Sequence, residues 1–214
     1  MSPEALAHLC SVDKTMARLI REVGPCRLVP EKRRQPYQAL ISAVAHQQLT
    51  GRVAEVILKR FRALFPGRAF PAPDAILRVS EAQLRSVGFS RAKALAIQDI
   101  ATKTVEGLVP PSRTLQGLSD AEIIERLTQV RGVGRWTVEM LLMFKLGRPD
   151  ILPVDDFGVR KGFSLAYGTS GLPRSKELLA FGERWRPFRT TASWYLWRAV
   201  ELHSPPKASK ALKK

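Results

Sequence analysis

Asp155 and Asp156 are the residues whose type and placement are best suited to chemistry. They lie between the short extended stretch 151–154 and a predicted helix. One of them is expected to cap that helix, because Asp is among the preferred N-cap residues. A second carboxylate opposes the binding of a polyanion and is useful only where it faces positive charge. A fixed carboxylate stabilises the positive charge that develops in some transition states.

The turn Gly132-Val133-Gly134 is the other informative feature, since it joins two amphipathic segments within residues 127–138. Glycines permit positive φ and leave the backbone amides open to a ligand. The second helix begins directly after the turn, so its N–H groups and positive dipole end favour a phosphate. Arg131 and Arg135 flank the turn. An ordinary turn between packed helices is the alternative, and the overall charge favours the phosphate site.

The composition identifies a polyanion as the partner. The 214 residues contain 35 Lys and Arg against 19 Asp and Glu, which gives a net charge of +16. Nucleic acid is the default partner of such a chain. An anionic membrane is the rival, but the sequence has no long apolar run and no signal-peptide pattern. We therefore expect no membrane association, and a cytoplasmic, nucleoid-associated or nuclear location.

Cysteine and histidine usage argues against metal chemistry. Only Cys10, Cys26 and three scattered histidines are present, too few to hold a zinc ion or an iron–sulfur cluster. We expect neither group, and we expect no required cofactor. The chemistry must then use carboxylates, hydroxyls, aromatic rings and backbone groups.

The elements that must position these residues are helical. Apolar residues recur at helical spacing over 38–65, with an interruption at 47–51. Ser80 with Gln83 predicts a capping box, and Ser90 predicts a helix that ends near Val105. Further helices are predicted over 121–130, 135–146, from about Asp155, over 175–185 and over 189–203. No alternating run requires a strand, so the fold class is all-α. Residues 204–214 are predicted to be a disordered basic tail.

The sequence Gly132-Val-Gly-Arg-Trp-Thr137, followed by Pro153-Val-Asp-Asp156, resembles the helix–hairpin–helix DNA glycosylase superfamily. Within it, the DNA-3-methyladenine glycosylase II branch is most similar, from about Pro36 to Leu202. The resemblance implies two helical lobes with the active site in the cleft between them. Residues 1–35 with 115–203 would form one lobe, and 36–114 the other. The amino-terminal β domain of that branch has no counterpart here, so we expect a shorter, all-helical relative.

The resemblance implies that Asp156 is the catalytic carboxylate, which leaves Asp155 as the expected N-cap and a neighbour of the substrate. Loss of the base from deoxyribose builds an oxocarbenium-like transition state that a carboxylate stabilises. Bifunctional members carry a lysine in the second hairpin helix, and Trp136 stands at that position. We therefore expect a monofunctional glycosylase that excises alkylated purines such as 3-methyladenine and 7-methylguanine, and has no lyase activity.

Further roles are implied by similarity. Trp136, Trp197 and Phe157 would line the pocket of the flipped base, whereas Trp185 and Trp194 are expected in the core. Leu49 would fill the gap left by that base, next to Gln48, with packing in the core as the alternative. The expected DNA contacts of the hairpin are Gly132, Val133, Gly134, Arg135 and Thr137. Arg91 and Lys93 are expected to contact phosphates, or else to form a solvated basic face.

The resemblance also implies a monovalent cation, Na⁺ or K⁺, held by the backbone carbonyls of Thr128, Val130 and Val133. The partner is double-stranded DNA that contains alkylated bases, and the chain is expected to be a monomer. Two alternatives remain open. One is a glycosylase for other lesions, such as hypoxanthine or ethenoadenine. The other is a non-catalytic helix–hairpin–helix DNA-binding module, which would need neither the Asp155–Asp156 pair nor the pocket aromatics.

Overall fold

The computed structural model describes residues 3–67 and 69–203. Within these ranges the regular secondary structure is entirely helical, without a strand, which confirms the all-α prediction. No helix in this part of the chain is both long and apolar enough to cross a bilayer. The predicted tail, 204–214, lies outside the described residues.

The described part of the chain is a succession of helices, joined by connections that range from a single residue to the long stretch between Val23 and Pro36. A π-helical segment, Leu142–Leu146, continues α10, and a 3₁₀ turn, Glu183–Trp185, follows α12. The α-helices are α1 Pro3–Val12, α2 Lys14–Val23, α3 Pro36–His46, α4 Gly51–Ala63, α5 Pro73–Leu77, α6 Glu81–Ser86, α7 Arg91–Val105, α8 Ser112–Gln116, α9 Asp120–Leu127, α10 Arg135–Leu141, α11 Phe157–Tyr167, α12 Ser175–Gly182 and α13 Arg189–Leu202.

Local capping explains where several helices begin. The Ser80 and Gln83 side chains form the predicted capping box at α6, and the Ser90 hydroxyl caps α7. Ser119 with Glu122 forms a further capping box at α9. In contrast, the apolar pattern over 38–65 is divided into α3 and α4, because residues 47–50 leave the helical conformation.

The chain divides into two compact units. Of the described residues, unit 1 comprises 3–29 and 148–203, and unit 2 comprises 30–67 and 69–147. This division differs from the predicted one, which assigned residues 30–35 and 115–147 to the lobe of the chain ends. The reason lies in packing: α10 contacts α3, and Asp99 of α7 accepts a hydrogen bond from the backbone N–H of Arg131 at 2.7 Å. The hairpin therefore belongs to the same unit as α3 and α7.

Unit 1 is organised around α11 and α13, which pack closely. A Cβ added to Gly162 would overlap with the backbone carbonyl of Leu196, so only glycine permits this approach. Asp13 supports the unit from α2, where it caps the helix and accepts hydrogen bonds from Tyr167 Oη at 2.6 Å and Trp185 Nε1 at 2.9 Å. Trp185 is fully buried and Trp194 is largely buried, which confirms their predicted place in the core.

Unit 2 is organised around α7, which packs against α3, α5 and α6. Its buried face carries small and branched apolar residues, among them Ala94, Ile97, Ile100 and Ala101. Phe61 of α4 adds an aromatic cluster with Phe65, Phe70 and Phe89. In addition, α7 contacts two exposed turns, the loop between α3 and α4 and the turn at Gly132.

Candidate active site and DNA-binding elements

Asp156 is the N-cap of α11, so the sequence-based assignment of the cap to Asp155 is wrong. Its Oδ1 accepts a hydrogen bond from the backbone N–H of Val159 at 2.7 Å. The same atom accepts a second hydrogen bond from Trp197 Nε1 at 2.8 Å. The positive end of the α11 dipole also favours a negative charge at this position. Asp156 is therefore a carboxylate in a fixed position, although it remains partly exposed.

Gly158 is what allows the indole of Trp197 to reach this carboxylate. A Cβ at residue 158 would lie 2.7 Å from Trp197 Cδ1, 3.0 Å from Nε1 and 3.1 Å from Asp156 Oδ1. A side chain of any size would displace the indole or the carboxylate. Gly158 was not among the predicted site residues, and the only sequence signal for it is its position two residues after the Asp pair.

Asp155 and Phe157 flank the capping carboxylate and are exposed. Asp155 Oδ1 accepts a hydrogen bond from Ser175 Oγ at 2.6 Å, which links it to the start of α12. The Phe157 ring is 68% exposed, an unusual exposure for so large an apolar side chain. Phe157 is thus available for contact, whereas Trp197 is half-buried and engaged with Asp156.

In unit 2 the glycines of the hairpin turn were predicted to have positive φ, which holds for Gly132 but not for Gly134. Gly132 has a φ of +75°, and a Cβ there would lie 2.8 Å from the Cβ of Ala96 in α7. Gly134 has an extended backbone with φ of −88°, and a Cβ there would meet nothing within 4 Å. Gly132 therefore allows the turn to pack on α7, and Gly134 leaves the start of α10 uncovered.

The α10 residues that follow the turn differ in what they expose. The Trp136 ring is 41% exposed, as expected for a contact residue. Arg135 is also exposed, but its Nε donates to Oε1 of the buried Glu139 at 2.9 Å, so one part of the guanidinium is engaged. Thr137 is buried as a whole residue, so its predicted DNA contact is not supported.

The connection between α3 and α4 presents two exposed side chains on a defined backbone. Gln48 has a φ of +57°, and it is the sole non-glycine residue with positive φ among the described residues. Such a conformation is uncommon for a side chain larger than glycine and is often found at functional sites. Leu49 is 39% exposed. It therefore does not pack in the core, which was the alternative prediction for this leucine.

Arg91 and Lys93 begin α7, and their side chains differ. The exposed Arg91 guanidinium lies 3.5 Å from a carboxylate oxygen of Glu81. The Lys93 ammonium instead donates to the backbone carbonyls of Ala45 at 3.0 Å and Gln47 at 2.8 Å. Burial lowers the pKa of Lys93. The predicted phosphate contact is therefore not supported for Lys93, whose ammonium is used inside the unit.

The three carbonyls predicted to hold a monovalent cation lie at the end of α9 and in the turn. The Val130 carbonyl accepts the backbone N–H of Val133 at 3.1 Å, which leaves a second lone pair on that oxygen. Thr128 is the C-cap of α9. In the described part of the chain no three His, Cys, Asp or Glu side chains converge on one point. The expected absence of zinc and of an iron–sulfur cluster remains a prediction.

An apolar cavity of about 200 Å³ lies between α3 and α10 in unit 2. Its lining includes Ala39, Ala43, Thr137, Met140 and the half-exposed Phe144. None of the three aromatic residues assigned to the base pocket lines it. Met140 of α10 and Phe144 of the π-helical segment follow Trp136 at four-residue intervals, so helical spacing could have identified them as its neighbours.

Comparison with known proteins supplies the wider context. The profile described as "HhH-GPD superfamily base excision DNA repair protein" matches residues 41–187. DNA-3-methyladenine glycosylase 1 of Schizosaccharomyces pombe is 40% identical over 202 residues, 93% of this chain and 88% of that protein. The alkylbase DNA glycosidase-like protein mag2 of the same yeast is 33% identical over 197 residues, 92% of each chain.

Solved structures agree with these sequence matches. The S. pombe 3-methyladenine DNA glycosylase Mag1 in complex with abasic DNA has a TM-score of 0.85 and 39% identity. That comparison covers 95% of this chain and 100% of the other. A DNA-3-methyladenine glycosidase from Bacillus halodurans has a TM-score of 0.83 and 34% identity, over 93% and 89% of the two chains.

Proposed function

The chain belongs to the HhH-GPD superfamily of base excision DNA repair proteins, and from this premise we propose that it is a monofunctional glycosylase for alkylated purines in DNA. Its similarity to DNA-3-methyladenine glycosylases along 93% of its length supports the substrate class. The observation that carries the proposal is the carboxylate of Asp156, which two N–H donors hold at the start of α11.

Asp156 acts on the charge that develops at the sugar. When the bond between C1′ and the base nitrogen breaks, its electron pair leaves with the base. The positive charge then lies on C1′ and the ring oxygen. A carboxylate that is already in position stabilises this charge without reorganisation. Water adds to C1′, its proton passes to the carboxylate or to solvent, and an abasic sugar remains.

An alkylated purine is a good leaving group because it is cationic before it departs. No strong general acid is then required on the base. Electron-rich indole faces favour a cationic base by about 1–2 kcal/mol when water is excluded. We assign this role to Trp136 of unit 2 and to Trp197 of unit 1, and we propose the exposed Phe157 and Asp155 of unit 1 as further substrate contacts.

The absence of lyase chemistry follows from Trp136, which occupies the position where bifunctional members of the superfamily carry a lysine. Without an amine at that position no Schiff base forms with C1′. The product is therefore an intact strand with an abasic site.

DNA binding uses unit 2. The exposed residues at the start of α10, Gly132, Gly134 and Arg135, bind a phosphate next to the lesion, whereas Val133 is buried and its N–H is used within the turn. Arg91 contacts a further phosphate. Leu49, with Gln48, fills the space that the extruded nucleotide leaves. Carbonyl oxygens suit a hard cation, so Na⁺ or K⁺ bound by Thr128, Val130 and Val133 is part of the proposal. The site of action is the nucleoid or the nucleus.

The test is release of free base from methylated duplex DNA, followed by chromatography, with strand nicking assayed in parallel without alkali. We expect free 3-methyladenine and 7-methylguanine, no nicking, and no borohydride-trapped complex. Nicking or trapping would refute the monofunctional assignment. Salt-dependent DNA binding without release of any base, over a panel that includes hypoxanthine and ethenoadenine, would indicate the non-catalytic DNA-binding module instead.

A further inference from the structure

The carbonyl groups at the end of α3 have an unusual set of partners. The backbone N–H of Gln47 donates to the Ala43 and Val44 carbonyls, at 3.2 and 3.3 Å, and that of Leu49 donates to the His46 carbonyl at 3.2 Å. The two remaining carbonyls of this run, Ala45 and Gln47, accept from Lys93 Nζ. A helix end commonly uses a left-handed glycine for this purpose. Here a lysine from α7, 46 residues from Gln47 in sequence, takes part of that role.

Gln47 extends this connection to the hairpin. Its side-chain Nε2 donates to the carbonyl of Gly132 at 3.1 Å and lies 3.5 Å from Thr137 Oγ1. Gln47 therefore receives the Lys93 ammonium on its backbone and contacts the glycine turn with its side chain. It is half-buried, whereas the next two residues, Gln48 and Leu49, are exposed. The exposed residues Gln48 and Leu49 therefore directly follow a residue, Gln47, that is held by contacts to both Lys93 and Gly132.

One side of α7 carries contacts to both turns. Lys93 contacts the α3–α4 loop, Ala96 packs against Gly132, and Asp99 accepts the backbone N–H of Arg131. These residues are spaced by three positions, so they lie along one side of the helix. The loop that carries Leu49 and the turn that contains Gly132 are thus both held against the same helix, α7.

From this geometry we infer that Lys93 is a positioning residue: through Gln47 it holds the Gln48–Leu49 loop in a fixed register with the hairpin. The inference rests on the proposed function, in which that loop enters the DNA and the hairpin binds a phosphate. Lys93 then contributes to opening of the base stack and not to the electrostatic attraction between protein and DNA. If Lys93 instead contacted a phosphate directly, as the sequence predicted, it would contribute to the electrostatic attraction and not to opening of the base stack.

Fluorescence of 2-aminopurine separates the two roles. The probe is placed opposite a tetrahydrofuran abasic analogue in a duplex, and its signal is read at saturating protein. We expect Lys93→Met to lose at least about half of the wild-type change although the DNA is fully bound, and Lys93→Arg to recover part of it, because a guanidinium can donate to both carbonyls. Lys103→Met is the matched control on α7, since Lys103 pairs with Glu106 on the surface and should keep the full change.

The salt dependence of binding to the same duplex gives the second readout. The slope of log affinity against log salt should equal that of the wild type for Lys93→Met. If Lys93 contacts a phosphate, the slope falls by about 0.9, the value for one neutralised phosphate. A full fluorescence change together with this reduced slope would overturn the inference. Both readouts need no catalysis, so a wild type that releases no base would refute the glycosylase and leave this inference to be judged on its own.

A second variant, Gln47→Leu, removes the link to Gly132 but keeps the backbone carbonyl that Lys93 contacts. We expect each single variant to slow single-turnover excision about tenfold, since small displacements of positioning groups cost up to about 100-fold. The double variant should be no slower than the slower single one, because both act through the same residue. Effects that multiply would show independent roles and would contradict the link. If Lys93→Met does not fold, Gln47→Leu alone decides whether the fluorescence change depends on the loop's attachment.

Discussion

Asp156→Asn removes the charge proposed to act in catalysis and leaves the local structure in place. The hydrogen bonds from the Val159 N–H and from Trp197 Nε1 both end at Oδ1, and an asparagine carbonyl oxygen can accept them, although more weakly than a carboxylate. Asn and Asp are comparable N-caps, so the stability of the fold should be nearly unchanged. A unit charge about 4 Å from the sugar cation contributes about 4 kcal/mol at an effective dielectric constant near 20. At 1.36 kcal/mol per factor of ten, excision should slow about 1,000-fold.

The assay is single-turnover release of 7-methylguanine from a methylated duplex, with thermal unfolding and binding to abasic-site DNA measured on the same preparations. Asp156→Asn should keep both the melting temperature and the binding. Asp156→Ala should also lose the cap, which is about 1 kcal/mol and about 2–4 °C in a chain of this size. Asp155→Asn makes the same charge change at the neighbouring residue and retains an acceptor for Ser175, so its effect on excision should be smaller and measures the substrate contact proposed for Asp155. Excision by Asp156→Asn within tenfold of the wild type would refute the assignment of the catalytic charge.

Three further variants test contacts within unit 1, one of them at this carboxylate. Trp197→Phe keeps a ring but removes the indole N–H, so single-turnover excision should slow about tenfold to 100-fold, as for a hydrogen bond to a charged group of about 1.5–3 kcal/mol; an unchanged rate would show that this bond has no role. Gly162→Ala forces a Cβ onto the Leu196 carbonyl and should destabilise the protein by about 3 kcal/mol or more, measured by urea unfolding. Asp13→Ala removes a cap and leaves the donors of Tyr167 and a buried indole without their acceptor, which should lower stability by about 3 kcal/mol; retention of the wild-type unfolding midpoint would contradict this.

The helices were largely predictable because their signals are local. The Ser80–Gln83 box and the Ser90 cap are short patterns, and each begins a helix where predicted. The Asp155–Asp156 pair shows the limit of such signals. Either residue can cap, and the boundary of a helix is uncertain by one or two positions in sequence. The turn at Pro153, whose carbonyl accepts the N–H of Asp156 at 3.0 Å, places Asp156 and not Asp155 at the N-cap of α11.

The contacts that define the site were not predictable because they join distant parts of the chain. Trp197 lies 41 residues from Asp156, and Lys93 lies 48 residues from Ala45. A lysine in the first turn of a basic helix has the same local pattern whether it faces solvent or another helix end. Gly158 likewise carries no pattern of its own, since its importance depends on the indole that approaches it.

The start of α11 combines a structural and a chemical task in one side chain. A residue that caps a helix must direct its acceptor toward the first-turn amides, which restricts its rotamers. Gly158 and Gly162 lie four positions apart and face α13, so both allow the close approach that brings the Trp197 N–H to the same acceptor. The helix contact that stabilises unit 1 therefore also fixes the carboxylate. A carboxylate fixed before the reaction needs no reorganisation when positive charge develops on the sugar, and for this reason we propose the capping residue, and not its exposed neighbour, as the catalytic carboxylate.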